Sequence, residues 1–282
     1  MSGSRELDVS QITQNVARLC GEADMLLPQD VRDAFTAAAA AEESPVGREV
    51  LNRLLENADM AKNDWMPICQ DCGLAVIFLD IGQDVHLVGG DLIEAVNQGV
   101  RQGYEEAYLR KSVCHPFTRA NTGDNTPAVV YTSLVPGDKV HLWVVPKGGG
   151  SENMSRVFLL TPAQGVEGVK KMVLETVENA GPNPCPPIIV SLAVGGTYDQ
   201  AAVRAKRSLL RTLDSTNPDP EAAALEDELF ASINNLGIGP AGLGGRTTCL
   251  KVFVDLKPCH IASLPMAVNI QCHAARHKEA VL

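Results

Sequence analysis

Residues 67–79 read PICQDCGLAVIFL. The second half, Leu74 to Leu79, is β-rich and nearly all apolar, the pattern of a strand buried on both faces. The first half sets two cysteines between a proline and that strand. They therefore lie on a loop, where a side chain can be presented rather than packed.

Upstream of this stretch, residues 8 to about 60 read as helical. Ile12, Val16 and Leu19 recur at helical spacing, as do Val31, Phe35 and Ala38. Asp30 and Asp33 fall early in the second helix, where carboxylates suit the dipole. A third helix follows Pro45, with Val50, Leu51, Leu54 and Leu55 on its apolar face. Downstream, Asp91 to Leu109 reads as a helix with Asp91 as N-cap. Residues 128–134 and 139–145 read as strands with Pro136-Gly137 turning between them. Helical spacing returns at 162–180, and PIIVSLAV at 187–194 is a second buried strand, ending at Gly195-Gly196. Helices at 199–213 and 220–236 flank the polar loop 214–220, and strands follow at 249–256 and 264–270. The C-terminus, CHAARHKEAVL, is short and polar. The expected fold is mixed α/β: a helical region over 1–64 on a mixed-sheet body over 65–282, either separate or one continuous domain. No Gly-x-Gly-x-x-Gly follows a strand. The Gly-rich run at 239–245 lacks the Lys-Ser or Lys-Thr of a phosphate loop.

The chain has 282 residues, 45% hydrophobic and 21% charged, enough for one large or two small domains with a sizeable core. Aromatics are only 4%, so that core rests on aliphatic residues. A formal net charge of −10 argues against a nucleic-acid partner, yet leaves room for a locally positive site that takes an acidic substrate. No apolar run reaches the length of a membrane span, and the N-terminus lacks an apolar signal region, so a cytoplasmic protein is expected. In that compartment the eight cysteines are expected to be reduced.

Position sorts the cysteines. Cys69, Cys72, Cys185 and Cys272 all lie where the chain enters or leaves a regular element, and Cys185 is framed by prolines in NPCPP. Cys249 lies inside a strand and Cys20 inside a helix, which suits small buried hydrophobes; Cys114 and Cys259 are ambiguous. A zinc ribbon would need a second CxxC pair, and a thioredoxin-like motif would open a helix; neither holds here. Widely spaced loop cysteines leave two readings open, structural thiols or an iron–sulfur cluster with one iron open for Lewis-acid chemistry.

Ten segments, in order, resemble one family. They are Cys69-Gln70-Asp71-x-Gly73, Tyr108-Leu109-Arg110, Asn121-Thr122-Gly123, Lys147 to Asn153 (KGGGSEN), Cys185-Pro186-Pro187, Gly195-Gly196-Thr197, Gly237-Ile238-Gly239, Gly244-Gly245, His260 to Pro265 (HIASLP) and Cys272 to His277 (CHAARH). Together they resemble the class I, iron–sulfur-dependent fumarate hydratases and L-tartrate dehydratases, and they run from about residue 65 to the end.

The resemblance implies a 4Fe–4S cluster held by Cys69, Cys185 and Cys272, with its fourth iron bare of protein ligands. Cys72 departs from a threonine common in the family and is not taken as a ligand. The resemblance places Gln70, Asp71, Arg110, Gly150 and His260 at a dicarboxylic acid substrate, with Asp71 and His260 as catalytic candidates. Arg110 suits a carboxylate through bidentate bonding, Gln70 through amide donors, and the Gly150 run through bare backbone amides. Asp71 is expected to move a proton or to position Arg110. His273 and His277 are either partners of the cluster site or a solvated tail. The chain ends just after the third cysteine, as α subunits of two-subunit members do, so a β subunit is implied, in a heterodimer or heterotetramer. Fumarate hydratase is the first reading and L(+)-tartrate dehydratase the alternative. A non-catalytic iron–sulfur scaffold or interaction protein is a further alternative, and a zinc-binding module fits the spacing poorly.

Overall fold

The computed structural model describes residues 4–282. From the N-terminus, β1 (Arg5–Asp8) leads into α1 (Val9–Met25), α2 (Gln29–Ala41) and α3 (Pro45–Asp64). Next come β2 (Leu74–Gly82), β3 (Val85–Val88), α4 (Leu92–Glu106), β4 (Val129–Val135) and β5 (Val140–Lys147). The one-turn α5 (Gly149–Glu152) precedes β6 (Arg156–Leu160), α6 (Gly165–Ala180), β7 (Ile188–Gly196), α7 (Tyr198–Ser208) and α8 (Pro220–Asn234). The chain closes with β8 (Cys249–Cys259), β9 (Leu264–Gln271) and β10 (Lys278–Val281). The fold is mixed α/β, as the sequence predicts. It divides into two compact units: one of Met1–Leu27, Ala58–Gly149 and Arg276–Leu282, the other of Pro28–Asn57 and Gly150–Ala275. The helices of residues 9–64 are shared between them, α1 with the first unit and α2 with the second.

In the first unit the sheet order is β10-β5-β2-β4. The strands on either side of the Pro136-Gly137 turn do not pair with each other. β2 lies between them, parallel to β4 and antiparallel to β5. That central place explains its apolar run. Ala75, Ile77 and Leu79 join the core formed with α1 and α4, and Val76 and Phe78 on the opposite face are buried as well. Asp91 caps α4, accepting the amide of Glu94 at 2.8 Å. α1 and α4 approach so closely that only glycine fits at two points. A Cβ on Gly99 would lie 2.6 Å from the Thr13 carbonyl oxygen, and one on Gly103 would lie 2.5 Å from that of Ala17.

In the second unit the order is β6-β9-β7-β8, with β7 parallel to β8 and antiparallel to β9. α6 and α8 cover one face through Val169, Val173, Val177, Leu225, Leu229 and Ile233. α7 covers the other, where Ala201 and Ala205 meet Ala193 and Ala267. The buried stripe of α2 is Val31, Phe35 and Ala39 rather than Ala38, a straight i, i+4, i+8 row.

Four strands escape the sequence reading: β1, β3, β6 and β10. Each is four or five residues long, too short to show a period. The polar C-terminal tail thus ends in a strand, antiparallel to β5. No helix among the described residues is long and apolar enough to cross a membrane.

Gly103→Ala pits helix propensity, worth about 1 kcal/mol in favour of alanine, against overpacking of about 1–3 kcal/mol. Because the contact is with backbone of α1, overpacking wins. The variant should unfold at lower urea concentration than wild type, with an unchanged m-value.

Candidate active site

In the first unit the candidate residues cluster on the loop before β2. The β2–β5 register sets Leu74 opposite Lys147, so Gly73 and Gly148 lie side by side just past the end of the ladder. Asp71 bridges them. Its Oδ1 accepts the amide of Gly73 at 3.0 Å, and its Oδ2 accepts that of Gly149 at 2.7 Å. Gly73 must be glycine, and at Gly148 a side chain would crowd Asp71. A Cβ on Gly73, at φ +71°, would lie 2.7 Å from the Lys147 backbone, and one on Gly148 would lie 3.0 Å from Asp71 Oδ2. The Lys147-Gly148-Gly149 run does offer bare backbone amides, and one of them goes to Asp71.

Cys69 is half-buried, and its sulfur accepts the amide of Asp71 at 3.4 Å. An N–H donor on sulfur suits a cluster-held cysteine. Gln70 is exposed beside it. The Arg110 side chain is exposed and is not paired with Asp71; its backbone amide reaches the loop instead, 3.2 Å from Cys72 Sγ. Beneath the loop, the buried Tyr104 hydroxyl donates to the carbonyls of Cys72 and Gly73, at 2.8 and 3.2 Å. Asn125 also donates to the Gly73 carbonyl. Arg276 Nη2 donates to the carbonyl of Asp71, and Arg276 Nη1 lies 2.9 Å from Asp24 Oδ1.

In the second unit, Cys185 precedes β7 and Cys272 follows β9. The antiparallel register, with Ile189 opposite Gln271, puts both at one end of the strand pair. Cys185 is exposed at φ +56°, on a turn whose prolines 184, 186 and 187 are buried. Its carbonyl accepts the backbone amide of His273 at 3.3 Å and lies 3.1 Å from His273 Nδ1. His273 is therefore a partner of the Cys185 turn rather than part of a solvated tail. Gly150 is exposed, and a Cβ there would lie 3.2 Å from the carbonyl oxygen of Asn183, two residues before Cys185.

His260 is placed differently. It stands on the turn between β8 and β9, at the opposite end of β9 from Cys272. At the usual rise per residue that separation is about 25 Å. The structure brings Cys185, Cys272 and Gly150 to one edge of this unit, and His260 to another. His260 Nδ1 accepts the amide of Ala262 at 3.1 Å, which places the proton of the neutral ring on Nε2, facing outward. The residue borders an apolar groove of about 450 Å³ lined by Val169, Leu225, Leu256 and Leu264.

Of the remaining thiols, Cys20, Cys72 and Cys249 are buried, Cys114 is half-buried and Cys259 is exposed. Burial pushes Cys249 up to about 12, Cys72 up to about 11 and Cys20 still higher. Among the described residues no cysteine is disulfide-bonded, and no three His, Cys, Asp or Glu side chains converge on a single metal ion. Taken unit by unit, the donor chemistry fits a thiolate-held cluster. Cys69 has its amide donor, and the Cys185 and Cys272 segments are tied through His273.

Two groups carry no expected role in the sequence: Asp24 and Arg276. The available signal was a charge on the buried face of α1, since Asp24 follows Val16 and Cys20 at four-residue steps.

A family model described as fumarate hydratase (fumerase) matches residues 13–281. The chain belongs to the fumarate hydratase family. A Methanocaldococcus jannaschii member, provisionally named L(+)-tartrate dehydratase subunit alpha, is 42% identical over 272 residues, covering 94% of this chain and 95% of its own. Members named L(+)-tartrate dehydratase subunit alpha from Escherichia coli K12 and Shigella sonnei are each 31% identical over 277 residues, covering 97% of this chain and 91% of theirs. This fumarate hydratase family member is therefore similar to hydro-lyase α subunits over nearly its whole length.

After treatment with a chelator, iodoacetamide at pH 8 should label Cys185 and Cys259 quickly. Cys20, Cys72 and Cys249 should react only after denaturation. Peptide mapping by mass spectrometry reads this directly, and early labelling of Cys72 would contradict its burial.

Proposed function

We propose that this chain is the α subunit of a 4Fe–4S hydro-lyase that removes water from L(+)-tartrate, working with a separate β subunit. The sequence motifs alone put fumarate first; the names of the relatives support tartrate, and fumarate hydration is kept as the second reading on the strength of the family model. The observation that carries the proposal is the Cys69–Gly73 loop, where a thiol with an amide donor, an amide side chain and a carboxylate are held together at the end of the β2–β5 ladder.

Dehydration of tartrate breaks one C–O bond and removes the proton from the neighbouring carbon. The hydroxyl leaves as water, and the enol product becomes oxaloacetate. When bound by Cys69, Cys185 and Cys272, a 4Fe–4S cluster supplies a Lewis-acidic iron for the departing hydroxyl. The exposed guanidinium of Arg110 binds a substrate carboxylate through two parallel N–H bonds. Gln70 donates to a substrate oxygen, and the backbone amide of Gly150 is open to another. Asp71 holds the loop with one lone pair on each oxygen and keeps a second on each for a proton. His260 presents Nε2–H as donor or acid. It stands a strand's length from Cys272, which supports a role toward the substrate of a neighbouring copy in a heterotetramer rather than that of its own chain.

The test is anaerobic co-purification with the β subunit, cluster reconstitution, and assays with L(+)-tartrate, fumarate and L-malate. About four irons per α chain and turnover of tartrate are expected. Turnover of fumarate alone selects the second reading, and failure to hold iron defeats both. Cys185→Ser should abolish activity, and His260→Asn should lower kcat about 10²–10⁴-fold. Assemblies mixed from these two variants should regain part of the wild-type rate. No regain would place His260 outside the reaction or within its own copy's site.

A further inference from the structure

Both members of one ion pair in the first unit are almost wholly buried, Asp24 at 0% and Arg276 at 3% exposure. Asp24 lies in the last turn of α1, and Arg276 lies four residues after Cys272 in the sequence. Each makes a second contact, and both contacts go to the same short segment. The Asp24 carbonyl accepts the amide of Ile68 at 2.9 Å, and Arg276 Nη2 donates to the carbonyl of Asp71. The chain is thus held at Ile68 by the backbone of α1 and at Asp71 by Arg276, whose guanidinium the Asp24 side chain faces. Between those points lie Cys69 and Gln70.

We propose that the Asp24–Arg276 pair is a positioning strut that fixes the Cys69-Gln70 segment in the geometry the hydro-lyase site needs. The reaction-based part of this inference rests on the function proposed above; the placement of the segment does not. Stability is a poor reason for such a pair. Taking two charges out of water costs about what their attraction returns, and apolar replacements of similar size are commonly neutral or better. A pair of this kind earns its place through direction. A guanidinium has several donors in one rigid plane, so it can face Asp24 and the Asp71 carbonyl together. Burial pushes the Asp24 carboxyl up while the Arg276 guanidinium pulls it back, so Asp24 relies on Arg276 to hold its charge.

Three variants of the full α chain, in complex with its β subunit, test the strut: Arg276→Lys, Asp24→Asn, and the apolar double variant Asp24→Leu with Arg276→Met. Hydrogen exchange of the Asp71 and Gly73 amides is the primary measurement, because these amides report the loop whatever the reaction proves to be, and the Ile68 amide, bonded to the Asp24 main chain, is the internal control. The double variant should melt within a few degrees of wild type and bind iron, yet exchange the Asp71 and Gly73 amides about 10²-fold faster. Its kcat/KM should fall about 10²-fold, mostly in kcat, as expected for sub-ångström to ångström misplacement of catalytic groups. Arg276→Lys, which cannot reach both partners in one plane, should be intermediate in both readouts. Wild-type exchange at these amides in the double variant would overturn the proposal. Should the double variant fail to fold, wild-type exchange and turnover in Arg276→Lys would overturn it equally. Absence of hydro-lyase turnover in the wild-type complex would defeat the proposed function, while the exchange result would still decide the strut.

Discussion

The carboxylate of Asp71 accepts one backbone amide on each oxygen, from Gly73 and from Gly149, and the course of the loop that carries Cys69 and Gln70 depends on that arrangement. The two amides belong to chain segments far apart in sequence that the β2–β5 register makes neighbours. Beyond the last ladder pair the backbone groups would have no strand partner. A carboxylate there satisfies two of them at once, with charge-assisted bonds stronger than neutral ones. Glycine at 73 is the steric condition for the approach. Cys69 and Gln70 then sit on a loop whose two ends are tied down, as the ligand and substrate-contact roles proposed for them require.

The second unit uses the same economy of strand ends. β7 and β9 run antiparallel, so the residue before one and the residue after the other share an edge, and Cys185 and Cys272 occupy those two places. Prolines on either side of Cys185 leave its thiol exposed on stiff backbone, while His273 closes the gap to the Cys272 segment. The geometry that unites these two thiols separates them from His260, because a strand carries its two ends apart as surely as it brings neighbouring strands together.

Several of the sequence expectations were physical enough to hold in detail. The apolar run Leu74–Leu79 is the central strand because it has no polar face to show to water. Asp91 caps its helix because its side chain can replace the missing backbone acceptor. The cysteines divided correctly into packed and presented ones, with Cys20 and Cys249 buried inside elements and Cys69, Cys185 and Cys272 at element ends. Cys72 was harder. It shares the loop with Cys69, but its sulfur turns inward and accepts the amide of Arg110. Sequence places a residue on a loop without saying which way its side chain faces.

The sequence by itself determined where the longer helices and strands lie, that the fold is mixed α/β, and which residues stand at the ends of elements. These are local properties, written in periodicity, caps and turn residues. Only the tertiary structure decided that β2 separates the strands joined by the Pro136-Gly137 turn, that Asp71 bridges two glycines, that Asp24 meets Arg276, and that His260 and Cys272 sit at opposite ends of one strand. Those facts turn on pairing between residues up to some 250 positions apart. A chain records such pairing only collectively, through the whole set of apolar surfaces that must be buried together.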